Sequence, residues 1–146
     1  MATNGAGLPR SDDPVPSPPQ RRILVVDDDV DAAEALADLL RDYGHEVGTA
    51  HDGPGAIETA SDFHPEIVLL DIGLPVMNGY EVAARIRSIP ELWDVYLAAI
   101  TGWGSEEDRR RSREAGFHCH MVKPVDIPAL ERLLSSFDSI RTWQRR

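Results

Sequence analysis

Cysteine is almost missing from this chain: Cys119 stands alone among 146 residues. An internal disulfide is therefore excluded, and a reduced, cytoplasmic setting is expected. Cys119 lies in an apolar run and reads as a small core residue rather than an activated nucleophile. Long apolar runs are missing too, and none approaches the roughly 20 residues of a membrane-spanning helix. The first residues, with Asn4, Asp12 and Asp13, lack the apolar centre of a secretory signal. Positive charge is in deficit, 15 basic against 25 acidic side chains, for a net charge of −10. That balance argues against nucleic-acid binding, which needs a basic face. Arg109, Arg110, Arg111 and Arg113 are the local exception. They follow Glu106, Glu107 and Asp108, so they read as a helix laced by i,i+4 ion pairs, with protein contact as the secondary reading.

Against these absences stands a cluster of three acids, Asp27-Asp28-Asp29, directly behind the apolar run Ile23-Leu24-Val25-Val26. Adjacent carboxylates repel one another, and desolvation raises the cost of keeping them ionised. A hard divalent cation held by oxygen ligands would offset that cost. Capping of the following helix accounts for Asp29 but not for three acids in a row.

The pattern of strand followed by polar residue recurs. Ile67-Val68-Leu69-Leu70 runs into Asp71, residues 95–100 run into Thr101-Gly102, and Cys119-His120-Met121-Val122 runs into Lys123-Pro124. Short β-rich runs alternating with helix-like segments predict an α/β fold with a parallel sheet. The carboxyl ends of such strands share one edge, where ligands bind. Two acidic sites, a hydroxyl and an amine should meet there.

Helices are expected over about residues 30–43, 54–61, 79–88, 105–115 and from 127 onward. On the first, Ala33, Leu36, Leu40 and Tyr43 share a face and Gly44 is the stop signal. Pro54 suits a first helical turn, and Ile57 and Ala60 face inward on that helix. Ser105 with Asp108 reads as a capping box. The helix after it is nearly all polar, can bury little, and should be the least stable element. The last helix carries Leu130, Leu133, Leu134 and Phe137 at core spacing. Residues 1–20 hold five of the eleven prolines and no apolar periodicity, so they are expected to be a disordered tail. Residues 21–141 form the expected domain and 142–146 a short C-terminal tail, with no output domain expected after Arg141.

Asp27-Asp28, Asp71, Thr101 and Lys123-Pro124, in this order on separate strand ends, resemble the receiver domain of two-component response regulators. The segment from Asp71 through Gly73-Leu74-Pro75 to Asn78-Gly79 is similar to that family's loop after the phosphorylated aspartate. The resemblance covers roughly residues 21–141. It implies a doubly wound, five-stranded parallel sheet in the flavodoxin-like order 2-1-3-4-5, with helices on both faces. It implies Asp71 as phosphoacceptor and Mg2+ as cofactor. Asp28 and Asp71 would be direct ligands, Asp27 would act through water, and Gly73 would supply a backbone carbonyl. Lys123 and Thr101 would bind the added phosphoryl group, and Thr101 would switch together with His120. Partners would be a histidine kinase or a histidine phosphotransfer protein, and the chain itself a monomer or weak dimer. It would not be an enzyme beyond assisting its own phosphotransfer and dephosphorylation.

Three positions depart from the family's usual pattern. Gly73 offers no side chain two residues past Asp71, and Trp103 could shield the acyl phosphate from water, so slow hydrolysis is expected. His120 stands where Tyr or Phe is more frequent, as in receivers resembling those fused to hybrid kinases. A pH-switching role for His120 competes with a packed neutral imidazole. His45, His51, His64 and His118 show no ligand spacing. The competing functions are a phosphate sink, a binding module that works without phosphorylation, and an aspartyl-nucleophile phosphatase. The last wants a second acid where Gly73 stands.

Overall fold

A computed structural model describes residues 20–102 and 106–144, without the side chains of 141–144. Within it the four apolar runs and the segment after His45 become strands β1 (Arg22–Val26), β2 (Glu46–Ala50), β3 (Ile67–Asp71), β4 (Tyr96–Thr101) and β5 (Cys119–Val122). All pair in parallel, in the order β2-β1-β3-β4-β5. The connections are helices α1 (Val30–Asp42), α2 (Gly53–Phe63), α3 (Gly79–Arg87) and α4 (Glu106–Glu114), and α5 (Ile127–Gln144) follows the last strand. A 3-10 turn at Pro90–Leu92 leads from α3 towards β4.

Strand side chains alternate between the two faces of the sheet, and each face packs its own helices. Leu24, Val26, Val68, Leu70, Leu97 and Ala99 meet Ala56 and Ala60 of α2 and Val82, Ala83 and Ile86 of α3. On the other face Ile23, Val25, Ile67, Leu69 and Ile100 meet Ala33, Ala37 and Leu40 of α1 and Leu130, Leu133 and Phe137 of α5. The central strands are thus buried on both sides, which is why they read as continuous apolar runs rather than alternating ones.

Local chemistry sets the helix ends. Asp29 accepts from Ala32 N at 3.1 Å and caps α1, and Asp52 caps α2 through Gly55 N. Asn78 accepts from Tyr80 N and Glu81 N at the start of α3. Pro54 lies in the first turn of α2, as expected. Gly44, at φ +96°, ends α1 in a conformation costly to other residues.

Some packing differs from expectation. On α1 the inner positions belong to Ala33, Ala37 and Leu40, while Leu36 is only half buried. On α2 the buried residues include Ala56 and Ala60, with Ile57 partly exposed at the edge. Small side chains take the inner rows because these helices lie close against the sheet. Helix α5 takes in the first three residues of the expected C-terminal tail. Residues 1–19 of the expected N-terminal tail, Ser105 of the expected capping box and Trp103 lie outside the described residues.

Candidate functional site

The backbone carries its ladder past the strand ends and so fixes the first residue of each loop. Asp27 N donates to Ala50 O at 3.1 Å, Ile72 N to Ile100 O at 3.0 Å and Lys123 N to Thr101 O at 2.8 Å. The loops after β1, β3 and β5 therefore leave the same edge of the sheet, with β4 between the last two. Their side chains meet: the Lys123 ammonium lies 3.1 Å from Asp27 Oδ2 and 3.1 Å from Asp71 Oδ2. Both carboxylates are buried, at 7% and 5% exposure, so repulsion between them is poorly screened without a cation.

The remaining oxygens are also held. Asp27 Oδ1 accepts from Asp29 N and Asp71 Oδ1 from Gly73 N, each at 2.9 Å. Burial pulls the Lys123 amine down, but the hydrogen bonds and attraction of Asp27 and Asp71 outweigh it and the net shift is upward. Lys123 is thus a permanent cation at working pH.

Asp28 is exposed, yet one of its oxygens lies within 4.8 Å of oxygens of both Asp27 and Asp71. Three carboxylates against one ammonium leave about two negative charges, which a divalent cation would balance. The donor set contains oxygen alone, which fits a hard ion such as Mg2+ rather than a thiolate- or imidazole-seeking metal.

The other expected residues fall as follows. Thr101 directly follows Ile100, the register partner of Asp71, and its backbone oxygen holds Lys123 N. Gly73 touches Asp71 through its amide, and a Cβ built on it would lie 3.5 Å from Asp71 Oδ1, an ordinary contact. His120 pairs with Ala99 in register, and its Nδ1 lies 3.1 Å from Ser112 Oγ. The structure thus ties His120 to α4.

Four contributors escaped the sequence reading. His51 Nδ1 lies 3.1 Å from the backbone oxygen of Asp27. Ser112 is the one buried residue of α4. Gly79 lies so close to the loop after Asp71 that a Cβ would fall 2.6 Å from Ile72 Cα and 2.9 Å from Asp71 O. The Asn78-Gly79 pair at a helix start was a usable signal for that close approach. Val76, fully exposed at φ +67°, is the centre of a turn closed by Met77 N donating to Pro75 O at 2.7 Å.

Beside the acids a mostly apolar groove of about 560 Å3 runs between α1 and the loop after β5, lined by Leu36, Leu39, Ile100, Lys123, Pro124 and Val125 among others. It explains the half-buried state of Leu36. None of the described helices is long and apolar enough to cross a membrane.

The response regulator receiver domain model matches residues 23–135. An uncharacterised 14.6 kDa protein of Leptolyngbya boryana is 34% identical over 118 residues, covering 81% of this chain and 90% of that protein. The transcriptional regulatory protein PrrA of Mycobacterium tuberculosis is 39% identical over 109 residues; the match covers 75% of this chain but only 46% of PrrA. In structure, the chain is similar to the receiver domain of sensor histidine kinase PA1611 from Pseudomonas aeruginosa, solved with magnesium coordinated in its active-site cleft. That likeness has a TM-score of 0.73 at 28% identity and covers 82% of this chain and 98% of that one.

Proposed function

The chain belongs to the response regulator receiver domain family of two-component signalling, and on that footing we propose that Asp71 accepts a phosphoryl group from a phosphohistidine donor. The observation that carries this reading is Lys123 bridging Asp27 and Asp71 at 3.1 Å each, with Asp28 beside them. A carboxylate is a weak nucleophile and works when the donor is activated and charge is neutralised in place. Asp71 Oδ2 would attack phosphorus, a P–O bond would form, and the P–N bond to the donor imidazole would break. The Lys123 ammonium would then leave Asp71 Oδ2 for a phosphoryl oxygen while keeping Asp27. The Thr101 hydroxyl would donate to the same group.

Asp28 and Asp71 would hold Mg2+ directly, Asp27 through water, and Gly73 by its carbonyl. When bound, Mg2+ supplies charge neutralisation for the transferring phosphoryl oxygens. The apolar groove along α1 opens onto the acids, which suits docking of the donor protein, a histidine kinase or a histidine phosphotransfer protein. Residues 21–141 would form the receiver unit, acting in the cytoplasm as a monomer or weak dimer. Its output would be a protein contact switched through Thr101 and His120, not a reaction on an outside substrate. The test is incubation with acetyl phosphate with and without Mg2+. Labelling should require the ion, and equal labelling in EDTA would overturn the metal assignment.

A further inference from the structure

Of the three clustered acids, Asp28 is held least. It is exposed, and its carboxylate enters no hydrogen bond or ion pair among the described residues. Asp27, one residue before it, is held at every polar atom. Its N–H donates to Ala50 O at 3.1 Å, its Oδ1 accepts from Asp29 N at 2.9 Å and its Oδ2 faces Lys123 at 3.1 Å. The last of these atoms, the backbone oxygen, lies 3.1 Å from His51 Nδ1. A carbonyl oxygen only accepts, so Nδ1 carries the hydrogen and the imidazole donates. The bond forms equally well with Nε2 protonated or bare.

That carbonyl belongs to the rigid peptide plane that joins Asp27 to Asp28. Fixing the plane fixes the position of Asp28 Cα and restricts where its carboxylate can reach. His51 itself stands on a firm base. Ala50 pairs in register with Val26, and Asp52 caps α2 through Gly55 N. Gly53 then lies against the loop after Asp71, where a Cβ would fall 2.9 Å from Met77 Cβ. Residues 50–53 thus touch both acid-bearing loops, and the His51 ring reaches the first of them.

We propose that His51 is a positioning residue for the divalent cation: it holds the Asp27–Asp28 peptide so that the Asp28 carboxylate is aimed at the ion, and it is not itself a ligand. The inference rests on the reading of Asp27, Asp28 and Asp71 as an Mg2+ site. Without this bond, Asp28 must be ordered at the moment the ion binds, at a cost in conformational entropy. Groups that orient metal ligands change affinity by about 10–100-fold when removed. The loss should also depend on the ion. Mg2+ demands a near-octahedral shell, whereas Ca2+ accepts an irregular one, so a misplaced Asp28 weakens Mg2+ more than Ca2+.

The test is titration of the unphosphorylated protein with MgCl2 and with CaCl2, followed by the amide resonances of Asp28 and Gly73, in the parent and three variants. The side-chain nitrogen of asparagine can take the place of the imidazole Nδ1. That of glutamine lies one bond further out, and leucine has no donor. Mg2+ affinity should fall by about tenfold in His51→Leu and His51→Gln and stay within about twofold of the parent in His51→Asn. Ca2+ affinity should fall by about threefold at most. Equal Mg2+ affinity in the parent, His51→Leu and His51→Gln would overturn the proposal and leave the metal reading standing. So would a loss in His51→Asn as large as in His51→Gln, or equal losses for the two ions, because general packing would produce either. The asparagine and glutamine pair decides the matter even where His51→Leu fails to fold. A parent that binds no Mg2+ would overturn the metal reading and this proposal with it.

Discussion

Lys123 holds two buried carboxylates at once, so its removal acts on both the folded state and the proposed metal site. Lys123→Ala leaves Asp27 and Asp71 facing each other without a counter-charge. Because the ammonium is 36% exposed, screening limits the loss of stability to about 1 kcal/mol. Mg2+ then meets no competing cation, and its stabilising effect on unfolding should be larger in the variant than in the parent. A smaller Mg2+ effect in denaturant titrations would show that Lys123 helps rather than competes. Gly73 gives the second prediction at this scale. There is room for a Cβ at 3.5 Å from Asp71 Oδ1, so Gly73→Asn should fold normally, place an amide beside the acyl phosphate and shorten its lifetime. An unchanged lifetime at unchanged stability would remove this position from control of hydrolysis. Asp27, Asp71 and Lys123 were legible in the sequence because each follows an apolar run and the topology of a parallel sheet gathers such positions. Ser112 was not, because a serine on a polar helix gives no sign that a histidine of β5 will bury it.

Among the elements, the loop from Asp71 to α3 carries the most constraint. Gly79 packs against the Ile72 backbone at a distance no real Cβ tolerates, so Gly79→Ala should destabilise the protein by about 2 kcal/mol and disturb the Asp71 loop with it. Val76→Gly should act the other way. It relieves a β-branched residue held at φ +67° and removes a fully exposed apolar side chain. The strain relieved exceeds the extra chain entropy, for a gain on the order of 1 kcal/mol in urea unfolding. Helix boundaries were readable where a side chain makes its own cap, as at Asp29, or where glycine takes a positive φ, as at Gly44; the cap at Asn78 went unread. The strain at Val76 was unreadable, since valine has no local preference for that conformation and only the surrounding loop imposes it. Helix α4 buries Ser112 alone, so its amides and those of β5 should change exchange rate on phosphorylation while α1 stays protected. Changes confined to α1 would place the output face elsewhere.

Over the whole molecule, two histidines make stability depend on pH. His45 Nδ1 accepts from Arg21 N at 3.0 Å, and burial, then the Arg21 charge, lowers its pKa. His118 covers the Tyr96 ring with one face and accepts from Leu97 N at 3.1 Å; burial, then Arg87, lowers its pKa as well. The folded state therefore binds fewer protons than the unfolded chain. The stability these rings contribute is full above their ordinary value near 6.5 and is lost as pH falls through that value toward the lower folded ones. The melting temperature should drop on acidification from about pH 7.5 to 5.5, and less steeply in His45→Gln, whose amide oxygen can still accept from Arg21 N. The parallel sheet brings Asp71, Asp27, Asp28 and Lys123 to one edge. The direct measurement is peptide mapping of the acid-stable, base-labile phosphoryl group after incubation with a phosphohistidine donor and Mg2+. Label should appear on Asp71 in the parent and be absent from Asp71→Asn. Label on another residue of the parent, or full labelling of Asp71→Asn, would contradict it.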